Sequence, residues 1–311
     1  MSKIAFIYPG QGAQKAGMGA DFYKNSASAR EIFDRASEAL DLDMKALCFE
    51  ENDKLDLTEY TQAALVTTCL AMTKVVQEAG LKPEITAGLS LGEYAAISAA
   101  GGMDEMDAVS LVRKRGILMQ NTVPAGVGGM CAVMAMEAEA IEQVIADIAD
   151  VEVANYNCPG QIVITGKKEA VEAAAVKLKE AGARRTMMLN VSGPFHSPLL
   201  EPAGEKMKKE LDQIRLHSLN IPYVTNVTAQ KVTDIAETKE LLVRQISSPV
   251  RWMQSMEAMI ADGVTDFVEI GPGKTLSGFL KKIDPKRKAY QIAVWEDVEK
   301  VVSALEGEEI C

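Results

Sequence analysis

The sequence predicts an α/β protein: a large domain on a mostly parallel sheet, with a small β-α-β-β-α-β unit inserted into it. Three observations carry that expectation. Short apolar runs at 3–8, 84–87, 221–226 and 265–270 alternate with helical patterns, the order a parallel sheet needs because each return crosses over the sheet. Residues 126–192 hold four strand-like and two helix-like stretches of their own, bounded by Val123-Pro124-Ala125-Gly126 and Ser192-Gly193-Pro194. Between the strand at 84–87 and the helical stretch from Glu93 stands Gly88-Leu89-Ser90-Leu91-Gly92, a serine on a sharp turn.

Taken in order, the apolar run 3–8 enters Pro9-Gly10-Gln11-Gly12-Ala13-Gln14, a turn that neither helix nor strand tolerates. Helical patterns follow at 20–25 and 28–40. A polar stretch at 50–58 leads to a helix over 59–79, which Gly80 ends in the C′ position. Strand, Gly-x-Ser-x-Gly and helix then make the context of a nucleophile elbow, so the large domain is expected to be α/β-hydrolase-like. Asp104 suits the N-cap of a helix over 104–120. Val109, Leu111, Val112, Leu118 and Met119 give that helix one apolar face, with Arg115 inside it and Arg113 and Lys114 on the flanks. Arg115 either snorkels to water or points inward and needs an anion.

The unit 126–192 reads strand 129–135, helix 137–148, strands 151–155 and 161–165, helix 169–181, strand 185–191, the ferredoxin-like order. The large domain, 1–125 and 193–311, resumes at Phe195-His196-Ser197-Pro198, where Ser197 and Pro198 suit the N-cap and first turn of a helix to 213. Strand 221–226, helices 238–246 and 251–262, strand 265–270, a further helix, strand 289–294 and an acidic helical tail from Glu296 complete it. Gly271-Pro272-Gly273-Lys274-Thr275 is not a phosphate loop, because the required first glycine position holds Val268.

Bulk properties narrow the function. A net charge of −11 disfavours nucleic acid or an anionic membrane as main partner. No apolar run approaches the ~20 residues of a membrane span. The sequence enters a strand at once, without a cleavable signal, and its five cysteines lack paired spacing. A cytoplasmic monomer with no metal and no permanently bound cofactor is expected.

The hydroxyl of Ser90 stands at a helix N-terminus, where free N–H groups can hold an oxyanion. A serine nucleophile needs a base, and the chain has only His196 and His217. His217 occupies an ordinary surface position. His196, in a proline-flanked loop ahead of a helix, is the candidate base, and the helix end would keep its ring neutral. The alternative is a structural loop histidine. The chain order differs from that of an ordinary hydrolase, in which the histidine lies near the C-terminus.

These residues fall into a larger pattern: Pro9-Gly10-Gln11-Gly12-Ala13-Gln14, Gly88-Leu89-Ser90-Leu91-Gly92-Glu93-Tyr94, Arg115-Gly116 with Met119-Gln120, Asn157-Cys158-Pro159-Gly160-Gln161, Phe195-His196, Asn226-Val227, Ser248-Pro249-Val250-Arg251-Trp252 and Glu269-Ile270-Gly271-Pro272-Gly273-Lys274. Over nearly its whole length the chain resembles the malonyl-CoA:acyl carrier protein transacylases, acyltransferases of fatty acid and polyketide synthesis. The resemblance implies malonyl-CoA as substrate and acyl carrier protein, with its phosphopantetheine thiol, as partner. It implies Ser90 and His196 as a catalytic pair, and the backbone N–H groups of Gln11 and Leu91 as oxyanion hole. Arg115 would grip the malonyl carboxylate, and Gln62 and Asn226 would line the site. A backbone carbonyl around Arg251 would orient the imidazole. Phe195 matches the malonyl-selective pattern, whereas Leu89 stands where many members have histidine. Arg184 and Arg185 are the best-placed cations for docking an acidic carrier. A polyketide acyltransferase, an acyl hydrolase on the same scaffold and a non-catalytic carrier-docking module are the competing expectations.

Overall fold

Ala5, Phe6, Ile7 and Tyr8 are all buried, because the strand they form has a packed layer on each side. The computed structural model describes residues 2–191 and 193–309. Its strands are β1 (Ile4–Tyr8), β2 (Ile85–Gly88), β3 (Gly128–Met134), β4 (Val151–Cys158), β5 (Gln161–Lys167), β6 (Arg185–Met188), β7 (Tyr223–Val224), β8 (Lys231–Val232), β9 (Asp266–Ile270) and β10 (Lys288–Ile292). The helices are α1 (Ala20–Asn25), α2 (Ala27–Leu40), α3 (Met44–Phe49), α4 (Thr58–Glu78), α5 (Gly92–Ala99), α6 (Glu105–Thr122) and α7 (Ala138–Ile145). After them come α8 (Lys168–Glu180), α9 (Glu201–Gln213), α10 (Thr238–Gln245), α11 (Trp252–Ala261), α12 (Thr275–Ile283) and α13 (Trp295–Glu309).

The larger sheet runs β10-β9-β1-β2-β7-β8, parallel except for β8. Strand alternation sorts its side chains into two cores. Phe6 and Tyr8 join the large helical cluster that includes α2, α4, α5 and α6. Ala5 and Ile7 face Trp252, Met256 and Met259 of α11 and Leu276, Phe279 and Leu280 of α12.

The second sheet runs β4-β5-β3-β6 and is antiparallel throughout. Cys131, Val133, Ile162 and Ile164 pack against Ile141 and Ile145 of α7 and Val171, Ala174 and Leu178 of α8. The alternate residues Met130, Ala132 and Val163 face the main body. The two sheets are tied at Val250, between α10 and α11. Its N–H donates to Ala154 O at 2.8 Å and its carbonyl accepts from Tyr156 N at 2.9 Å, where the register of β4 shifts.

α4 is buried nearly all round, as befits a helix in the middle of a core. α6 lies against it, and Gly116 permits the approach: a Cβ there would sit 2.8 Å from Glu59 Cα and Thr58 O. Asp104 caps α6 as expected, its carboxylate accepting from Met106 N. Gly80 takes φ 95° after α4.

Three expectations are corrected. Ser197 and Pro198 take the N-cap and first-turn positions, but of a 3₁₀ turn over Pro198–Leu200 that precedes α9, and the Ser197 hydroxyl makes no cap bond, donating instead to Pro194 O at 2.8 Å. α3 and β8 were not foreseen, because six and two residues are too short to show a period. The strand expected over 221–226 is only Tyr223–Val224, since the following residues turn toward the site. Of the border Ser192-Gly193-Pro194, Ser192 lies outside the described residues, as do Met1, Ile310 and Cys311.

Two glycine substitutions should separate contact from propensity. A Cβ on Gly88 would stand 2.0 Å from the Gly92 carbonyl, whereas one on Gly278 in α12 would meet nothing within 4 Å. Gly88→Ala should lose about 3 kcal/mol or more, as overpacking against backbone predicts, and Gly278→Ala should gain about 0.5–1 kcal/mol. Urea midpoints at constant m-value measure both.

Candidate active site

The carboxyl ends of β1, β2 and β7 deliver Gln11, Ser90 and Asn226 to one crevice, the usual place for a site on a parallel sheet. The sharp turn is made by the serine itself: Ser90 takes φ 55°. Left-handed backbone costs a non-glycine residue about 1–2 kcal/mol. Asn226 holds it there, accepting from Ser90 N at 2.6 Å and donating to Gly88 O at 2.7 Å. The flanking glycines serve close approach instead, for a Cβ on Gly92 would lie 2.5 Å from Tyr8 O.

His196 also takes a left-handed conformation, φ 59°, and is buried. Its Nδ1 lies 2.9 Å from Gln245 O and its Nε2 2.8 Å from Ser90 Oγ. A carbonyl only accepts, so Nδ1 carries the proton and Nε2 is the lone pair that takes the Ser90 hydrogen. Burial, then the Arg115 charge, pushes the imidazole down to about 3, against the pull of carbonyls at Gln245 and Ser248. Burial and a cation, rather than a helix end, keep the ring neutral.

The orienting carbonyl was expected around Arg251 and belongs instead to Gln245. Arg251 is the N-cap of α11, and its carbonyl is taken by Ser255 N at 2.9 Å and Ser255 Oγ at 2.8 Å.

Arg115 is 0% exposed. Its Nη1 donates to Gln62 Oε1 at 2.7 Å, and its Nη2 donates to Gln245 Oε1 at 2.9 Å and to Ser90 Oγ at 3.0 Å. The inward reading of that helix face holds, and snorkelling does not. Burial lowers the guanidinium from its ordinary value, with Tyr94 and Glu93 acting the other way. Gln62 is held in turn by α6, its Nε2 lying 3.7 Å from Met119 Sδ.

The N–H groups of Gln11 and Leu91 have no hydrogen-bond partner among the described residues. Gln11 and Ser90, the residue before Leu91, border a cleft of about 400 Å³ whose far wall is the second sheet, through Met130, Ala132, Met134 and Val163. Register separates the two docking candidates. Arg185 pairs with Met134, a cleft residue, and its guanidinium lies 3.5 Å from Met187 Sδ on the same face. Arg184 precedes β6, and its N–H closes on Met134 O.

Two site residues had no role in the sequence reading. Gln245 touches His196, Ser90 and Arg115, and also Glu93, which is fully buried in the first turn of α5. Its signal was a polar residue on the inward face of α10, in line with Leu241 and Leu242. Burial pushes the Glu93 carboxyl up to about 7, against hydrogen bonds from Gln245, Thr225 and Asn226 and the charge of Arg115.

A serine on an elbow, an imidazole on its hydroxyl and a buried guanidinium beside both make up the site. The chain belongs to the acyl transferase domain family, whose model matches residues 5–294. It is 46% identical to the malonyl CoA-acyl carrier protein transacylase of Bacillus subtilis, over 99% of each chain. The crystal structure of the corresponding Clostridium perfringens transacylase superposes with a TM-score of 0.96 at 42% identity, covering 99% of both chains. A malonyl-transacylase in complex with a type II PKS acyl-carrier protein matches at TM-score 0.94 and 37% identity, over 98% of this chain and all of that one, 100%. The resemblance read from the motifs is thus borne out, and the chain is an acyltransferase.

The two perturbed groups act oppositely on stability. His196, ordinarily near 6.5, falls to about 3 in the fold, so stability drops as pH falls from 6.5 toward 3. Glu93, ordinarily near 4.5, rises to about 7, so its contribution is full below 4.5 and lost as pH rises through 7. His196→Gln removes only the first effect. Relative to wild type its stability should gain up to about 1.4 kcal/mol for each pH unit between 6 and 4, read from urea unfolding.

Proposed function

We propose that this chain transfers a malonyl group from malonyl-CoA to the phosphopantetheine thiol of an acyl carrier protein, through a malonyl ester on Ser90. The observation that carries this reading is a guanidinium with no exposure to water, 3.0 Å from the nucleophilic oxygen. A buried cation beside an acyl-accepting hydroxyl selects an acyl group that brings its own anion, and malonyl is such a group.

Ser90 Oγ attacks the thioester carbonyl as its proton passes to His196 Nε2. The oxyanion is held by the N–H groups of Gln11 and Leu91. The carbon–sulfur bond breaks, and the thiolate leaves as CoA with the proton from Nε2. The phosphopantetheine thiol then gives its proton to Nε2 and attacks the Ser90 ester, and the returning proton restores the hydroxyl. No carboxylate is needed behind the histidine, because the Gln245 carbonyl fixes the tautomer.

The names of the relatives support malonyl transfer to a carrier, and the complex with a PKS carrier favours polyketide supply as a second reading beside fatty acid synthesis. We read residues 126–192 as a ferredoxin-like subdomain inserted in a hydrolase-like one. The strand order β4-β5-β3-β6 supports that reading. Arg185, on the cleft face of an edge strand, is the docking cation for the carrier; Arg184 is its weaker neighbour.

Intact mass after mixing with malonyl-CoA, acetyl-CoA or methylmalonyl-CoA tests the acyl-enzyme. Ser90→Ala should show no added mass, and His196→Ala should slow both half-reactions by roughly 10²–10⁴-fold. Loss of a buried charged partner costs ~2–5 kcal/mol, so wild type should prefer malonyl over acetyl by on the order of 10²–10³ in kcat/KM. Arg115→Ala should flatten that preference, and Arg115→Lys should restore only part of it. An alanine variant that keeps the full preference would overturn this role for Arg115. An excess of free malonate over malonyl-carrier product would point to a hydrolase. Arg185→Glu should raise KM for carrier protein while malonyl-CoA loading stays unchanged.

A further inference from the structure

Glu93 is a buried ionisable group, in contact with the site, that the transfer chemistry leaves unused. Its Oε2 accepts from Gln245 Nε2 at 2.6 Å and from Asn226 N at 3.2 Å. Gln245 gives its other amide hydrogen to Ser90 O at 2.9 Å and accepts from Arg115 Nη2 on Oε1. An amide has one donor end and one acceptor end. Here the donor end meets a carboxylate and the acceptor end a guanidinium, so Gln245 bridges a buried anion and a buried cation. Turned over, it would set oxygen against oxygen and N–H against N–H. Each charge also favours the other: Arg115 lowers the Glu93 carboxyl, and Glu93 raises the guanidinium.

We propose that Glu93 is a positioning residue whose carboxylate, acting through Gln245, is the counter-charge that tempers Arg115 and lets a malonyl carboxylate be selected yet passed on. The proposal rests on the malonyl-transfer reading. Without the counter-charge, Arg115 grips the incoming carboxylate more tightly in the bound and acyl-enzyme states. Tighter ground states raise the barrier to leaving them. The bare cation also depresses His196 further, a direction in which Arg115 already acts. An acetyl group, lacking a carboxylate, feels only this second effect.

Two variants separate charge from contact. Glu93→Gln keeps the shape and an acceptor for Gln245 Nε2 but removes the charge; Glu93→Asp keeps the charge and shortens the reach. The measurements are made at pH 8, where Glu93 is mostly ionised. They are the apparent Kd for malonyl-CoA and acetyl-CoA in single-turnover acylation, and the rate at which malonyl-enzyme passes its acyl group to carrier. In the glutamine variant the malonyl-CoA Kd should fall about tenfold and the transfer rate about tenfold, with the acetyl-CoA Kd unchanged, as one neighbouring charge in a partly screened interior predicts. The aspartate variant should keep the malonyl-CoA Kd within about twofold of wild type. A glutamine variant with an unchanged or weakened malonyl-CoA Kd overturns the proposal. So does an aspartate variant that tightens as the glutamine one does, and the aspartate result alone decides if the glutamine variant fails to fold. Wild type that forms no acyl-serine with malonyl-CoA overturns the malonyl-transfer reading, and this proposal with it.

Discussion

A guanidinium sealed from water is the constraint on which the rest of the site depends. Burying an ion costs several kcal/mol unless its donors are all engaged. Arg115 meets most of this by drawing acceptors for its two Nη groups from three elements, Gln62 on α4, Gln245 on α10 and Ser90 at the elbow, while its Nε has no partner among the described residues. These acceptors are neutral oxygens. They satisfy N–H groups without cancelling the charge. The close packing of α6 on α4 at Gly116, one residue further on, sets the side chain at this depth.

The same network holds two backbone conformations that would not persist alone. Ser90 and His196 both take left-handed φ values, and each is pinned by a polar partner from a distant stretch of chain. Asn226 pins the serine through its N–H, and Gln245 pins the imidazole through its carbonyl. The arrangement aims hydroxyl and ring at each other within the fold itself.

The sequence was most legible where local chemistry decides structure. The elbow, the Asp104 cap, the Gly80 stop and the alternation of strands with helices follow from residue type and spacing, and the helices over 20–25, 28–40 and 59–79 fall within a residue of those formed. Arg115 was legible as one of two alternatives, snorkelling or inward, and only the packing around α6 decides for the buried one. What could not be read depends on contacts between distant segments. The carbonyl behind His196 comes from Gln245 because Arg251 begins a helix and spends its own carbonyl there. The fate of Ser197 turns on the nearby Pro194 carbonyl. The roles of Gly88 and Gly92 lie in what touches them, which no turn propensity contains.

The second sheet presents Met130, Ala132 and Met134 to the cleft while Cys131 and Val133 face α7 and α8. Along one strand, adjacent letters of the sequence therefore answer to different demands. A change of size at Met130 or Ala132 alters the cleft and the packing of the main body together, without entering the cluster that folds the unit. Met134, in the cleft wall but in neither cluster, is the position of this strand where the wall can change with least repacking.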